Sequence, residues 1–357
     1  MKGAYEIIAG VDCHKATHAI AFLDSVGKVV HDLEIPANPA GYADAIAAAR
    51  MLGEVVWGLE GTGVYGRCFA KALLAADMTV FEVPGIVTKR HRKHATQHGK
   101  SDRKDARAIA EAVLRDSERL PRFRECEEQE ALRLRYDQRD RLVRERTMLI
   151  NRIRSNALRL SIDAPKDLQT LISLRAIRTA LDAIVNPSFV EDALVDEMRF
   201  SLATIERLNE QILRLERLMS PFVKRLAPEL LELRGVSVIV AAGLIGHCGD
   251  MRHLRNADAF AMRSATAPIS WSSGKSQAVR LNVGGNRQLN RLLHVIATVQ
   301  LRAAAHPGRI YYDRKRSEGK TGRTALRALK RTLATIVYYR LRLCQTRIEN
   351  TNVAIAA

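Results

Sequence analysis

Four acidic residues in the N-terminal third have the types and places that phosphoryl chemistry uses: Asp12, Glu60, Asp102 and Asp105. Asp12 ends the apolar run Tyr5 to Val11, and Glu60 directly follows Val55-Val56-Trp57-Gly58-Leu59, so each stands where a strand reaches the end of a sheet. Asp102 and Asp105 are three residues apart. That spacing puts both carboxylates on one face of a helix, whose free amides Ser101 or Asp102 can cap. Carboxylates gathered at one point repel one another unless cations neutralise them. Mg2+ or Mn2+ does so through oxygen ligands, and two such ions about 3.5 to 4 Å apart can clamp the attacking and leaving oxygens of a phosphodiester. Singly, each acid reads as a solvated charge or a cap; jointly they point to a metal site.

The residues around the aspartate pair carry the opposite charge. Lys89, Arg90, His91, Arg92, Lys93, His94, His98 and Lys100 precede it, and Arg103, Lys104 and Arg107 sit beside it. Such a segment brings a phosphate backbone to the acids. The histidines lack the cysteine partner or helical pairing that a zinc site needs. Over all 357 residues, 57 lysines and arginines outnumber 39 acids for a net charge of +18, more than solubility requires. Clustered cations of this kind bind nucleic acid by releasing its counterions. Aromatics are only 5% of the chain, so base stacking is not expected to dominate recognition. Cysteines at 13, 68, 126, 248 and 344 are odd in number and form no CxxC pair, which argues against a disulfide framework or zinc and fits a reducing cytoplasm. Met1 to Gly10 lacks a long apolar signal segment, and the most apolar run, Val236 to Gly246, is too short to span a bilayer, so no membrane is expected.

The elements that must position the acids follow from periodicity. Strands are predicted at Tyr5 to Val11, His18 to Leu23 and Val29 to Ile35, with Gly27 in a turn; then come a helix from Ala40 to Leu52, a strand from Val55 to Leu59, a helix from Val64 to Ala76 and a strand from Thr79 to Val83. Hairpins followed by helical crossovers make a mixed α/β sheet. Glu125 to Leu160 reads as a long polar helix with Val143, Ile150 and Ala157 at a spacing of seven and Ile153 and Leu160 filling the intervening seam, which only Arg146 interrupts. A second helix carries Ile205, Leu208, Ile212, Leu215, Met219 and Phe222; the two seams suit either a coiled coil or ordinary packing within one domain. Pro165 and Pro187 bound a less regular connector. Gly235, in Leu233-Arg234-Gly235-Val236-Ser237-Val238, makes a tight turn before a small apolar helix. Helix-hairpin-helix modules hold a DNA phosphate this way, although a plain C-cap gives the same pattern. The last hundred residues are strongly basic and include Arg280, Arg287, Arg291, Arg314, Lys315, Arg327, Lys330 and Arg331.

Three segments carry a resemblance. Gly10-Val11-Asp12-Cys13-His14-Lys15, Leu59-Glu60-Gly61-Thr62-Gly63 and Lys100-Ser101-Asp102-Arg103-Lys104-Asp105-Ala106 resemble the DEDD transposases of the bacterial insertion sequence 110 family, over essentially the whole chain. The resemblance implies a RuvC-like (RNase H-like) DEDD domain at 1–120, a coiled-coil helical region at 121–225, and a C-terminal transposase domain with a helix-hairpin-helix at 226–357. It further implies recombination through a serine nucleophile, guided by a structured non-coding bridge RNA that pairs with donor and target DNA. It implies dimers that assemble to a tetramer, with the acids of one protomer meeting the serine of another. In the family the serine stands before a glycine, in a segment that starts from a proline and passes an aromatic; here this is Pro268-Ile269-Ser270-Trp271-Ser272-Ser273-Gly274-Lys275. Ser273 is therefore the carried-over nucleophile, with Ser272 its competitor; on residues alone the segment is a polar turn. Where the family commonly has Gly-Leu-x-Pro, this chain has Ala265-Thr266-Ala267-Pro268, and Arg280, Arg287 and Arg291 are available to face the phosphate. Two other readings compete: a Holliday-junction resolvase in which the acids activate water, and an architectural DNA-binding protein.

Overall fold

The computed structural model describes residues 5–85, 87–88, 101–273 and 276–356, with 271–273, 276–279 and 351–356 described by their backbone alone. The chain forms two compact units, Met1–Cys126 and Glu127–Ala357. Among the described residues no helix is long and apolar enough to cross a membrane. All five cysteines are free.

The first unit is a mixed sheet with helices. Strands β1 (Ile7–Cys13), β2 (Thr17–Asp24) and β3 (Val29–Pro36) follow one another by hairpins. Helix α1 (Pro39–Leu52) then leads to β4 (Val55–Glu60), and α2 (Arg67–Ala75) leads to β5 (Thr79–Glu82). The sheet order is β3-β2-β1-β4-β5, with β1 antiparallel to β2 but parallel to β4, as the alternation of hairpins and crossovers predicts. Side chains alternate across the sheet. Ala9, Val11, Phe22 and Trp57 pack on one face with Tyr42 and Phe69 from α1 and α2. Ile8, Leu23, Val56 and Phe81 pack on the other with Ile109 and Val113 from α3 (Asp102–Asp116). With helices on both faces, the central strands are apolar almost throughout, which is why their sequences read as runs rather than alternations.

Among the described residues the second unit is helical apart from one hairpin. The long helices α4 (Glu127–Arg159) and α6 (Phe189–Leu226) lie antiparallel, because their side-chain bonds step in opposite directions: Arg139 to Glu216, Arg146 to Asn209 and Asn156 to Glu197. The seam residues Ile205, Leu208, Ile212, Leu215 and Met219 are buried within the chain. Between Pro165 and Pro187, where the sequence predicts an irregular connector, the chain forms α5 (Leu171–Asp182). The prolines mark its borders rather than its absence: Thr170 caps it by accepting from the Ser173 amide, and Leu174, Ile177 and Leu181 bury one stripe. Helices α7 (Pro228–Leu231), α8 (Val238–Cys248) and α9 (Ala257–Arg263) follow. Next comes the hairpin of β6 (Ile269–Ser273) and β7 (Ser276–Arg280), then α10 (Arg287–Leu301), α11 (Pro307–Ser317) and α12 (Gly322–Ala356).

Candidate active site

Backbone register builds the acidic site. Asp12 and Glu60 are register partners on the adjacent parallel strands β1 and β4, so both carboxylates leave the sheet at its C-terminal end, side by side. Helix α3 lies directly on β1. A Cβ at Gly10 would fall 2.1 Å from the Ala106 carbonyl oxygen and 2.3 Å from the Ala110 nitrogen, so only glycine allows the approach. The same approach brings the first turn of α3 to Asp12. That turn is fixed by Ser101, whose side chain accepts from the Lys104 amide while its carbonyl accepts from the Asp105 amide. Asp105 is buried there and Asp102 is exposed.

His14 completes the cluster. Its Nε2 lies 3.2 Å from Asp12 Oδ2 and 3.4 Å from Asp102 Oδ1, and the ligand atoms of all three residues lie within 4.8 Å of one another. Burial raises the pKa of Asp12 above the ordinary carboxylate value; His14 opposes the rise, and the neighbouring charges of Asp105 and Asp102 add to it. Burial likewise pushes the Cys13 thiol up to about 12, with Asp12 and Glu60 contributing, so this cysteine is a protonated packing residue and no thiolate ligand. Glu60 is closed off from behind by Gly85, where a Cβ would start 2.7 Å from Glu60 Oε1.

This donor set fits a divalent cation. Its atoms are carboxylate oxygens plus one imidazole nitrogen, and the repulsion felt by Asp12 is what a cation relieves. Asp12, Asp102 and His14 would hold it; Glu60 and Asp105, which the sequence also offers, are not part of this group among the described residues. Sequence reasoning missed His14, although a signal was present: Asp12-Cys13-His14 puts acid and imidazole two residues apart at a strand end, on one side of the chain.

The remaining predicted site residues are spread more widely. Lys89, Arg90, Arg92, Lys93 and Lys100 lie outside the described residues. Arg103 and Lys104 belong to the first turn of α3. In the second unit, Gly235 takes φ +94° in the turn between α7 and α8, and Arg280 and Arg287 are exposed at the end of β7 and the start of α10. Arg291 is committed elsewhere, because both its terminal nitrogens bond the buried carboxylate of Asp140. Burial pushes that carboxylate's pKa up, but the hydrogen bonds and charges of Arg291 and Arg144 outweigh it and leave the group below its ordinary value. Ser272 pairs with Gln277 and Ser273 with Ser276, so the backbone of Ser273 stands at the closing end of the hairpin.

Two protein-family models match the chain. The first is described as a transposase, the DEDD model of IS110, and covers residues 9–161; the second is described as the transposase IS116/IS110/IS902 family and covers residues 227–313. The chain belongs to the IS110 family of DEDD transposases. Such a transposase is an enzyme that cleaves and recombines DNA. All four acids fall inside the first matched segment, and Ser273, Arg280, Arg287 and Arg291 fall inside the second. The chain is similar over most of its length to proteins of insertion elements. The chain is 26% identical to the 44.8 kDa protein of insertion element IS116 from Streptomyces clavuligerus, with 94% of each chain covered. It is 25% identical to the 42 kDa protein of insertion element IS900 from Mycobacterium paratuberculosis, with 95% and 96% covered. The transposase of IS1111A from Coxiella burnetii is 23% identical, with 80% of this chain and 75% of that one covered. Among solved structures, T. thermophilus RuvC in complex with a Holliday junction substrate aligns with 33% of this chain at 12% identity and a TM-score of 0.28.

Proposed function

We propose that this transposase cuts and rejoins DNA strands through Ser273, with the acidic site of a RuvC-like N-terminal domain supplying the metal. One observation carries the reading: Asp12 and Glu60 are paired by strand register at the end of the sheet where α3 brings Asp102 and Asp105, in a chain of the IS110 family. In the proposed reaction the Ser273 oxygen forms a new bond to phosphorus. The deoxyribose oxygen of the cut strand leaves and takes up the serine's proton. A hydroxyl of the second strand then attacks the phosphoserine, makes the new phosphodiester and returns the proton to serine, so no bond energy is lost to water. A divalent cation, Mg2+ or Mn2+, supplies positive charge for the alkoxide and for the negative charge that develops on the phosphate. Arg103, Lys104, Arg280 and Arg287, with the basic segment before α3, lead the backbone in; the turn at Gly235 serves as a helix-hairpin-helix phosphate contact.

The finer features follow the resemblance. A non-coding bridge RNA pairs with donor and target DNA and supplies the sequence specificity. The α4–α6 pair acts as a coiled-coil arm, and two dimers assemble on RNA and DNA so that the acids of one protomer meet the serine of another. The work takes place in the cytoplasm, at the nucleoid.

Trapping gels with labelled DNA test the chemistry. Ser273→Ala should lose both strand joining and the covalent protein–DNA adduct. Asp105→Asn should lose cleavage at every magnesium concentration while keeping salt-sensitive binding. A Ser273→Ala protein that still joins strands would remove the serine mechanism, and one that nicks four-way junctions without an adduct would favour water as the nucleophile. Sequencing the RNA that copurifies with the protein, then recombining DNA matched to its loops, tests the guide.

A further inference from the structure

A cavity of about 440 Å³ opens at the root of the β6–β7 hairpin, between the residues leading into β6, those leaving β7, and one face of α12. Its wall carries four cations, Arg280, Arg327, Lys330 and Arg331, and no aspartate or glutamate. Arg331 pairs with Asp258, which lies outside the wall. Arg327 has no hydrogen-bond or ion-pair partner among the described residues. Lys330 is half-buried, and its Nζ donates to Asn290 Oδ1, which fixes it in place without neutralising it. Burial and then the charge of Arg327 lower its pKa, the mark of two cations held together at some cost. An anion placed between them removes that cost.

The rest of the wall selects among anions. Ala267, Pro268 and Leu281 give it an apolar side, which a free phosphate would leave wet and a nucleoside would cover. The cavity is also tied to the hairpin by bonds as well as by position. Asn290, the partner of Lys330, donates to the carbonyls of Ser264 at 3.0 Å and Ala265 at 2.9 Å, in the segment that leads to β6. A ligand engaging Lys330 therefore bears on the base of the hairpin whose closing residue is Ser273.

Resting on the serine reading above, we propose that this cavity seats one nucleotide of the DNA strand being cut, its phosphate between Arg327 and Lys330, and so sets which phosphodiester reaches Ser273. The seat is independent of base identity, since cations and an apolar wall distinguish no base.

Binding of the full chain to a short fluorescent single-stranded DNA, followed by anisotropy over a range of salt, tests this directly. Arg327→Gln should weaken binding and flatten the plot of log K against log salt by about 0.7, the release expected for one phosphate contact on a single strand. Arg323→Gln removes the same charge from the same helix outside the cavity and should leave the slope unchanged. Ala328→Phe fills the cavity with no change of charge and should weaken DNA binding about 10-fold while the protein keeps its thermal midpoint. Equal slopes for Arg327→Gln and Arg323→Gln, wild-type binding by a folded Ala328→Phe, or effects confined to an RNA of the same sequence would each overturn the proposal. None of these measurements needs cleavage. If Ser273→Ala blocks joining while the cavity variants bind as wild type, the seat alone fails; if Ser273→Ala still joins strands while they bind weakly, the nucleophile alone fails.

Discussion

The acidic site and the serine hairpin are built by opposite means. Asp12 and Glu60 are held by the register of two parallel strands deep in a five-stranded sheet, and α3 is set against them by backbone contact at Gly10. The hairpin is a two-stranded sheet of its own. Two strands alone are marginally stable in water, so its position depends on hydrogen bonds at its root. Asn282 Nδ2 donates to the Met262 carbonyl, the Asn286 amide donates to the Arg263 carbonyl, and Asn290 holds the carbonyls of Ser264 and Ala265. A metal site has to keep like charges together before its ligand arrives, and a rigid sheet can do that. The nucleophile proposed above would have to meet a bound strand, and a ribbon hinged on a few hydrogen bonds suits that task.

Four experiments break or sharpen this contrast. Asp12→Asn should lower cleavage by about 10³-fold or more, yet raise the thermal midpoint without divalent cation, because it removes a carboxylate that burial and two neighbouring acids disfavour. Retained cleavage would sink the metal site, and a lower midpoint would show that the acids are not held against repulsion. Gly10→Val should cost about 3 kcal/mol in urea unfolding, since a side chain there meets the backbone of α3. If the variant unfolds like the parent, that contact is not what positions α3.

The third concerns the hairpin's root. His253 Nε2 lies 2.8 Å from Arg263 Nη1 and accepts from it as a neutral ring. Burial, then the charge of Arg263, lower the His253 pKa to about 4 from an ordinary 6.5, while Asp250 works the other way. The unfolded chain therefore binds a proton that the folded one refuses, so this residue costs nothing above pH 6.5 and progressively destabilises the fold as pH falls towards 4. His253→Gln should flatten that part of a melting-temperature profile; an unchanged profile would place the acid sensitivity elsewhere. The smallest effect belongs to Ala265, which takes φ +53° where the family commonly has glycine. Ala265→Gly should gain about 0.5 kcal/mol, the relief of the left-handed strain less the extra entropy of glycine. A loss of stability would mean that the alanine methyl packs well enough to outweigh the strain.

The sequence by itself determined the sheet and the identity of the acids. Buried strands are apolar runs in which a charge marks the C-terminal end, and Asp12 and Glu60 are those charges, Asp12 one residue before the end of β1. It also fixed the helical spacing of Asp102 and Asp105, because three residues of helix always share a face. It could not supply the register that pairs Asp12 with Glu60, since hydrogen bonding between strands depends on which residues of distant segments meet. His14 stands two residues from Asp12 in the sequence, but its nearness to Asp102 arises only when α3 packs on Gly10. Arg291 read as a free cation for the same reason, because its partner Asp140 comes from a helix far away in the chain. The cavity under the hairpin was likewise invisible: the basic residues of α12 are plain in the sequence, but only the fold places them against residues 265–268 and 280–282. Residue type and local spacing are written along the chain, whereas which charges are neutralised and which face a ligand depends on contacts between distant segments.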